Sequence, residues 1–292
     1  MKWNVSLLSA VVAGISTSIA QGAVLYSTGG YTPAGTYSQN FDSLPNTPTN
    51  VTVQVTRPWN DDTTQTANNT SIPGWYLWHP VLQTEGGANG HQRIRFGRGN
   101  VNTGTFYSFG SDGSTDRALG MTSSNTMAAG GATDNGESYY GVRITNNTGY
   151  LLTDFRLKFI GEQWRDGGAA TPVAQSIAFG YKVTSGAALL QDTGFTSVGA
   201  GTFTTPVFAN TGGGAAVDGN GPGKGAVQSV NVSGLNWLPG QDLWLRWTDL
   251  NDGGNDHGLS IDDLTFQAVP EPGTFVLAGI ASLGMLATRR RR

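Results

Sequence analysis

The chain has 292 residues, with 17 basic and 20 acidic side chains and no cysteine. Without cysteine no disulfide can stabilise the fold, so a folded body requires a full hydrophobic core. Lys2 and Arg289–Arg292 hold five of the 17 basic residues, which leaves 12 basic against 20 acidic residues between positions 21 and 271. A body with this net charge near −8 is a poor ligand for phosphate backbones, and we expect no nucleic-acid partner.

The first twenty residues have the pattern of a secretory signal peptide. Lys2 precedes a short apolar stretch, and Ser18, Ile19 and Ala20 place small residues before a cleavage site. The alternative is an uncleaved N-terminal anchor, which the short apolar run disfavours. Residues 1–20 are therefore predicted to be a signal peptide that the general secretion machinery reads.

Residues 21–268 are predicted to form one all-β domain, a single jelly-roll-like antiparallel β-sandwich. Short alternating runs are separated by Gly, Asn and Asp, and the 29 aromatic residues argue against disorder. A turn at residues 146–149 predicts that the strands on either side of it are antiparallel neighbours. Long loops are predicted at 57–74 and 209–226. The clearest strands are Glu137–Thr145, Leu151–Ile160, Gln175–Thr184 and Leu243–Thr248, and weaker ones are Val51–Thr56, Trp75–His79, Thr105–Phe109 and Val227–Val232.

The last predicted strand, His257–Phe266, departs from simple alternation. Leu259 and Ile261 share one face, whereas Leu264 and Phe266 fall on the opposite parity. Burying all four side chains in one core requires an extra residue between them, which predicts a β-bulge at Asp262–Asp263. The alternative is a strand that is buried on both faces.

The densest acidic cluster of the chain precedes and enters this strand. Carboxylate and amide oxygens are the ligands that Ca²⁺ prefers, so the cluster predicts a structural calcium site, although the fold needs no cofactor. The spacing is not that of an EF-hand, and the alternative is a solvated loop, since Asn-Asp-Gly-Gly favours turns. The candidate ligands are Asp249, Asn251, Asp252, Asp256, Asp262 and Asp263.

Several aromatic and polar side chains in or beside loops are candidates for binding a sugar. An aromatic face stacks on the apolar face of a sugar ring, while carboxylates and amides bind the hydroxyls. Glu162 is also the best candidate for a catalytic acid, but we favour an ion pair between Glu162 and Arg165 under an aromatic lid. The candidate ligand-binding residues are Trp59, Trp75, Trp78, Glu162, Trp164 and Arg165.

Enzymatic activity is not expected. The chain has no G-x-S-x-G sequence, no glycine-rich phosphate loop followed by lysine, and only three histidines, which are far apart in sequence. A glycoside hydrolase needs two carboxyl groups at a set separation, and nothing in the sequence fixes such a pair. No catalytic residue is assigned.

The C-terminal residues 269–292 combine three features in order. Pro270, Glu271 and Pro272 form a Pro-Glu-Pro triplet, an uncharged apolar segment runs from about Gly273 to Thr288, and the cluster Arg289, Arg290, Arg291 and Arg292 ends the chain. As a helix the segment would span about 24 Å, less than the roughly 30 Å of a bilayer core. A permanent anchor is the alternative to a transient one. The arginines predict a cytoplasmic end and a body outside the inner membrane.

These three features resemble the PEP-CTERM sorting signal of Gram-negative bacteria. The resemblance implies that a membrane-embedded exosortase recognises the Pro-Glu-Pro motif and cleaves near it, after transient anchoring in the membrane by the short helix. It also implies a destination at the cell surface or in an extracellular matrix, because exosortase systems tend to accompany exopolysaccharide production.

The body resembles domains of secreted bacterial proteins that often carry this tail. The motifs that carry the resemblance span about residues 40–266. They are FDSLP at Phe41–Pro45, SIPGWY at Ser71–Tyr76, FYSFGSDGSTDRALG at Phe106–Gly120, GEQWR at Gly161–Arg165 and RWTDLNDGGNDHGLSIDDL at Arg246–Leu264. Such bodies are similar to jelly-roll sandwiches of the lectin-like and carbohydrate-binding type, and the resemblance implies no catalytic role. We therefore expect a non-catalytic exported protein that binds or accompanies exopolysaccharide. The alternatives are a purely structural matrix or floc component and, less favoured, a glycoside hydrolase.

Overall fold

The computed structural model describes residues 23–27, 35–44, 46, 56–58, 72–80, 93–125, 127 and 136–270. The predicted signal peptide, Trp59 and most of the C-terminal segment lie outside these residues. No helix in the described part is long and apolar enough to cross a membrane. The strands are β1 Val24–Tyr26, β2 Tyr37–Gln39, β3 Thr56–Pro58, β4 Trp75–Trp78, β5 Arg93–Gly97, β6 Thr105–Phe109, β7 Ala118–Thr122, β8 Glu137–Asn146, β9 Leu152–Asp166, β10 Ser176–Thr184, β11 Thr196–Ser197, β12 Phe203–Thr204, β13 Ala215–Ala216, β14 Lys224–Val232, β15 Asp242–Leu250 and β16 Gly258–Pro270, with a short 3₁₀ helix at Gly199–Gly201.

The strands form two sheets. Sheet 1 has the order β1-β8-β15-β10-β11, with β4 also paired to β8 and β12 to β10. Sheet 2 has the order β13-β9-β16-β7-β6-β5-β3, with β14 also paired to β9 and β2 to β16. Most pairs are antiparallel, while β1–β8 and β5–β6 are parallel. This confirms the predicted all-β sandwich.

The core lies between the two sheets, and Trp247 is at its centre. The Trp247 ring stacks on Trp75 at a centroid distance of 5.7 Å and meets Phe159 of sheet 2 edge-on at 5.4 Å. The ring centroid of Phe179, which comes from β10, lies 5.2 Å from that of Trp247. Each fully buried side chain of this size contributes about 1.5–3 kcal/mol through the hydrophobic effect. The large aromatic content therefore serves mainly to fill the space between the sheets.

The four clearest predicted strands are confirmed, but their predicted pairing is wrong. β8 and β9 follow one another through the turn at residues 147–151, yet β8 belongs to sheet 1 and β9 to sheet 2. β8 pairs with β15, and β9 pairs with β14 and β16. The turn carries the chain across the sandwich because the apolar faces of both strands must meet in the core. The predicted loop 209–226 also contains β13 and the start of β14.

The predicted bulge in β16 is confirmed. The register of β16 against β9 shifts between Asp262 and Thr265, and Asp263 adopts a positive φ of 49°. Leu259, Ile261, Leu264 and Phe266 are all buried in the main core. Beyond the bulge, β16 continues through Val269 and ends at Pro270, which pairs with Leu152 of β9 and is buried. The strand thus passes residue 268, at which we placed the end of the body.

Candidate functional site

The outer face of sheet 1, which points away from the core, carries a cluster of aromatic side chains. Strand alternation places Tyr76 and Trp78 of β4, Tyr139 of β8 and Trp244 of β15 on this face, because their strand neighbours point into the core. The Trp78 ring stacks on Tyr139 with centroids 5.2 Å apart. A second apolar cluster therefore forms on the opposite side of sheet 1 from the core.

Arg246 extends this stack toward Phe195. The Arg246 guanidinium lies 4.2 Å from the centroid of Tyr139 and 3.8 Å from that of Phe195, both within cation–π range. Its Nη1 also donates to the carbonyl oxygens of Leu190 and Asp192, at 3.0 and 3.1 Å. These contacts hold the guanidinium between the two rings.

The segment 185–195 covers part of this face. Ala188 and Leu190 pack on the aromatic cluster, and Trp244 beneath them is 1% exposed. Trp78, Phe195 and Arg246 remain half-buried, with part of each side chain at the surface. We call Trp78, Tyr139, Arg246 and Phe195 the aromatic platform.

The other predicted tryptophans that the structure describes are not at the surface. Trp75 is 0% exposed in the core, where its Nε1 donates to the Tyr37 hydroxyl at 2.8 Å. Trp164 is 1% exposed on the outer face of sheet 2, parallel to Phe109 at 6.2 Å. The segment 217–223 covers it, since a side chain at Gly219 would collide with the Trp164 ring. The prediction that Trp75 and Trp164 line a sugar site is therefore wrong.

The predicted ion pair between Glu162 and Arg165 is also wrong. In the pairing of β9 with β16, Glu162 lies opposite Ser260 and Gln163 opposite Leu259. The next residue of β16, Gly258, pairs with Arg165. Trp164 is therefore an extra residue in β9 with no partner in the register. This irregularity separates the two side chains. Arg165 Nη1 donates to the Gly99 carbonyl at 3.0 Å, and Glu162 Oε2 accepts from Trp164 Nε1 at 3.0 Å.

Glu162 is one of two buried carboxyls on the outer face of sheet 2. Burial raises its pKa to about 7, although the hydrogen bond from Trp164 lowers it. Its Oε1 is buried and has no hydrogen-bond partner among the described residues. Asp262 is 4% exposed, and burial followed by the charge of Glu162 raises its pKa to about 8. Because neither carboxyl is open to solvent, the pair does not form a cleft that holds a sugar.

The six predicted calcium ligands fall into two groups. Asp249, Asp252 and Asp256 interact electrostatically with one another, whereas Asp262 interacts with Glu162 and Asp263. Asn251 instead donates to Asn125 at 2.9 Å. Within the described ranges, no group of three or more His, Cys, Asp or Glu side chains is arranged to hold a metal ion. A single site built from all six residues is therefore not formed.

In the first of these groups, near the end of β15, Asp249 and Asp256 are buried and Asp252 is half-buried. Burial, followed by the charges of Asp256 and Asp252, raises the pKa of Asp249 well above its usual value. Burial raises the pKa of Asp256 to about 7, while the Asp252 backbone N–H donates to Asp256 Oδ1 at 2.8 Å. The loop is thus an ordered turn in which burial favours the protonated forms of Asp249 and Asp256.

The C-terminal residues match a known sorting motif. Residues 268–292 carry a PEP-CTERM protein-sorting motif. The motif marks an exported protein that is directed to the cell envelope, and it implies an exosortase as the processing partner. Of the predicted sorting residues, Pro270 is the last residue of β16, and Glu271, Pro272 and Arg289–Arg292 lie outside the described part of the chain.

No curated protein matches the sequence. Among solved structures, the chain is similar to the CBM22-1 xylan-binding domain of Xyn10C from Paenibacillus barcinonensis, with 10% identity, a TM-score of 0.30, and coverage of 74% of this chain and 94% of that one. It is also similar to the mannan-recognising module TmCBM27, with 8% identity, a TM-score of 0.32, and coverage of 74% and 98%. A third is the K3 adhesin domain of Lys-gingipain from Porphyromonas gingivalis, with 12% identity, a TM-score of 0.31, and coverage of 66% and 90%. Scores this low say nothing about a ligand of this chain.

Proposed function

We propose that this protein is exported to the surface or extracellular matrix of a Gram-negative bacterium, where its β-sandwich binds polysaccharide without cleaving it. The observation that carries the proposal is the aromatic platform on sheet 1. Its rings and guanidinium lie against one another, and Trp78, Phe195 and Arg246 remain partly open to solvent. Such a surface offers an apolar face for a sugar ring beside donors for hydroxyl groups.

A non-catalytic role is part of this proposal. The two carboxyls on sheet 2 with raised pKa values, Glu162 and Asp262, are buried. The carboxylates beside the platform already have partners, since Glu137 accepts a hydrogen bond from the Tyr139 hydroxyl and Asp192 pairs with Lys182 at 3.9 Å. A hydrolase needs paired carboxyls that reach the glycosidic bond. Saturable binding without release of reducing sugar supports the proposal, whereas release of reducing sugar contradicts it.

Binding is tested with the purified protein in native gels that contain xylan, mannan, galactan or dextran. Retardation that saturates with polysaccharide concentration supports binding. The alternative is a structural matrix component with no specific ligand. Failure to bind any of the four polysaccharides, with the protein shown to be folded by circular dichroism, favours that alternative.

Processing at both ends is the second part of the proposal. We expect secretion to remove residues 1–20 and an exosortase to cut near Pro270–Gly273, so that the apolar segment anchors the protein only until then. Intact-mass measurement of the protein recovered from its native host tests both cuts. Recovery of Arg289–Arg292 on the mature chain would refute removal of the tail.

A further inference from the structure

A row of polar side chains crosses the outer face of sheet 2, away from the aromatic platform. β14, β9 and β16 run side by side, and their register aligns Asn231 with Arg156 and Arg156 with Gln267. One step along β9, Lys158 lies beside Thr265. Residues two apart on a strand share a face, so these five side chains form one surface. We call them the polar groove.

The bulge in β16 creates this surface. An unbroken alternation from Ile261 would place Leu264 and Phe266 on the outer face, where they would cover the groove with apolar side chains. The extra residue at Asp263 turns both into the core and turns Thr265 and Gln267 outward. The same irregularity that completes the core therefore supplies two of the five side chains of the groove.

The groove is a concave, hydrogen-bonding site. It is an open depression of about 380 Å³ and is also lined by Thr36 and Phe266. Volumes of several hundred Å³ are typical of sites for small ligands. Within the part of the chain that the structure describes, none of the five side chains makes a hydrogen bond or ion pair. Arg156, Lys158, Asn231 and Thr265 are exposed.

The charge of the groove is opposite to that of the body. Two cations lie in it and no acidic side chain lines it, although residues 21–271 carry 20 acidic against 12 basic residues. An arginine fork binds a carboxylate through two parallel N–H donors, and a lysine adds a point charge. Asn231, Gln267 and Thr265 offer donors and acceptors for hydroxyls on either side. No exposed aromatic ring lines the groove for stacking on a neutral sugar.

We propose that the polar groove binds a carboxylate-bearing polysaccharide, with a uronate carboxylate at Arg156 and Lys158 and sugar hydroxyls at Asn231, Thr265 and Gln267. This site is separate from the aromatic platform. Loss of one leaves the other intact, so failure of this proposal is distinguishable from failure of the proposed function.

The test is the affinity of the full-length protein for polygalacturonate in 50 mM salt, compared with the double variant Arg156→Gln/Lys158→Gln. Because each cation makes a charge-assisted hydrogen bond, we expect the double variant to bind about tenfold more weakly or worse. The matched control Arg98→Gln/Lys224→Gln removes the same charge from exposed positions elsewhere and should change the affinity less than about twofold. Arg289–Arg292 are present in every variant, so their contribution is constant.

Three further results complete the test. Asn231→Ala, which keeps all charges, should also weaken binding, and neutral dextran should not compete for the site. Tyr150→Ala, which removes an exposed ring outside both the groove and the platform, should leave polygalacturonate binding unchanged. An equal loss in the control pair, no binding of polygalacturonate, or binding to phosphatidylglycerol vesicles in place of polygalacturonate would each overturn the proposal.

Discussion

Asp262 and Glu162 are diagonal neighbours on the outer face of sheet 2. Glu162 of β9 pairs with Ser260 of β16, and Asp262 is two residues further along β16, on the same face. Both carboxyls are buried, with pKa values of about 8 and about 7. Each binds its proton more tightly in the folded chain than in the unfolded chain, where the pKa is about 4. The folded state is therefore favoured while both are protonated, and this advantage is lost as pH rises toward 8.

Glu162→Gln should remove much of this pH dependence. The amide is neutral at every pH and still accepts the hydrogen bond from Trp164, so we expect the variant to be more stable than the wild type by about 2 kcal/mol at pH 8 and equal to it at pH 4. Urea unfolding at both pH values measures the difference. Asp112→Asn, at an exposed carboxyl, should leave the profile as in the wild type. A Glu162→Gln variant that is less stable at pH 8 would contradict this account.

Trp78→Ala should weaken binding to whichever of xylan, mannan, galactan or dextran the wild type binds. The ring is half-buried and stacks on Tyr139, and we expect a loss of about tenfold or more, as for a central aromatic contact. The control is Tyr150→Ala, which removes a ring that is 45% exposed and lies at a turn away from the platform. If both variants weaken polysaccharide binding equally, the loss does not come from a specific contact at Trp78.

The positive φ of Asp263 in the bulge predicts how substitutions at this residue change the free energy of unfolding. A β-branched residue is strained at a φ of 49°, so Asp263→Val should lower the free energy of unfolding by about 1–2 kcal/mol. Asp263→Gly should have little effect, because glycine adopts this conformation freely but loses more entropy on folding. Thr265→Val, in the extended part of the same strand, is the control and should be near neutral. Thermal unfolding measures all three; a destabilised glycine variant would argue against strain at this position.

A structural calcium ion stays a prediction. The side chains of Asp249, Asp252 and Asp256, as the structure describes them, are not arranged to hold a metal ion, so binding would require them to move together. A cation that relieves the repulsion between these buried carboxylates and binds only the folded chain must raise the melting temperature. We expect an increase in millimolar Ca²⁺ at pH 8 that Asp256→Asn abolishes and Asp263→Asn retains. An identical melting curve with and without Ca²⁺ would leave the loop as a turn alone.

The sequence was informative where a pattern depends only on neighbouring residues. Alternation located β8, β9, β10 and β15, and a change of parity located the bulge at Asp263. The pairing of β8 and β9 was not predictable from their turn, because a turn specifies a reversal but not whether the chain stays in its sheet.

The exposure of tryptophans was harder to predict. Both sheets have aromatic side chains on both faces, so alternation does not show which face is covered. Trp164 is buried by the segment 217–223 and Trp244 by the segment 185–195, and both segments are distant in sequence. The stack of Arg246 on Tyr139 and Phe195 was missed for the same reason.

The position of Pro270 has a consequence for the order of events during export. Pro270 is at once the buried end of β16 and the first residue of the Pro-Glu-Pro triplet, so the folded body leaves no spacer before the motif. A protease that binds the triplet in an extended conformation would compete with Leu152 of β9, because Leu152 already pairs with Pro270. Cleavage at the triplet would then occur either before the last strand closes onto the sheet or during a local opening of its end. Stabilising that end of the sandwich would slow maturation without altering a single residue of the tail.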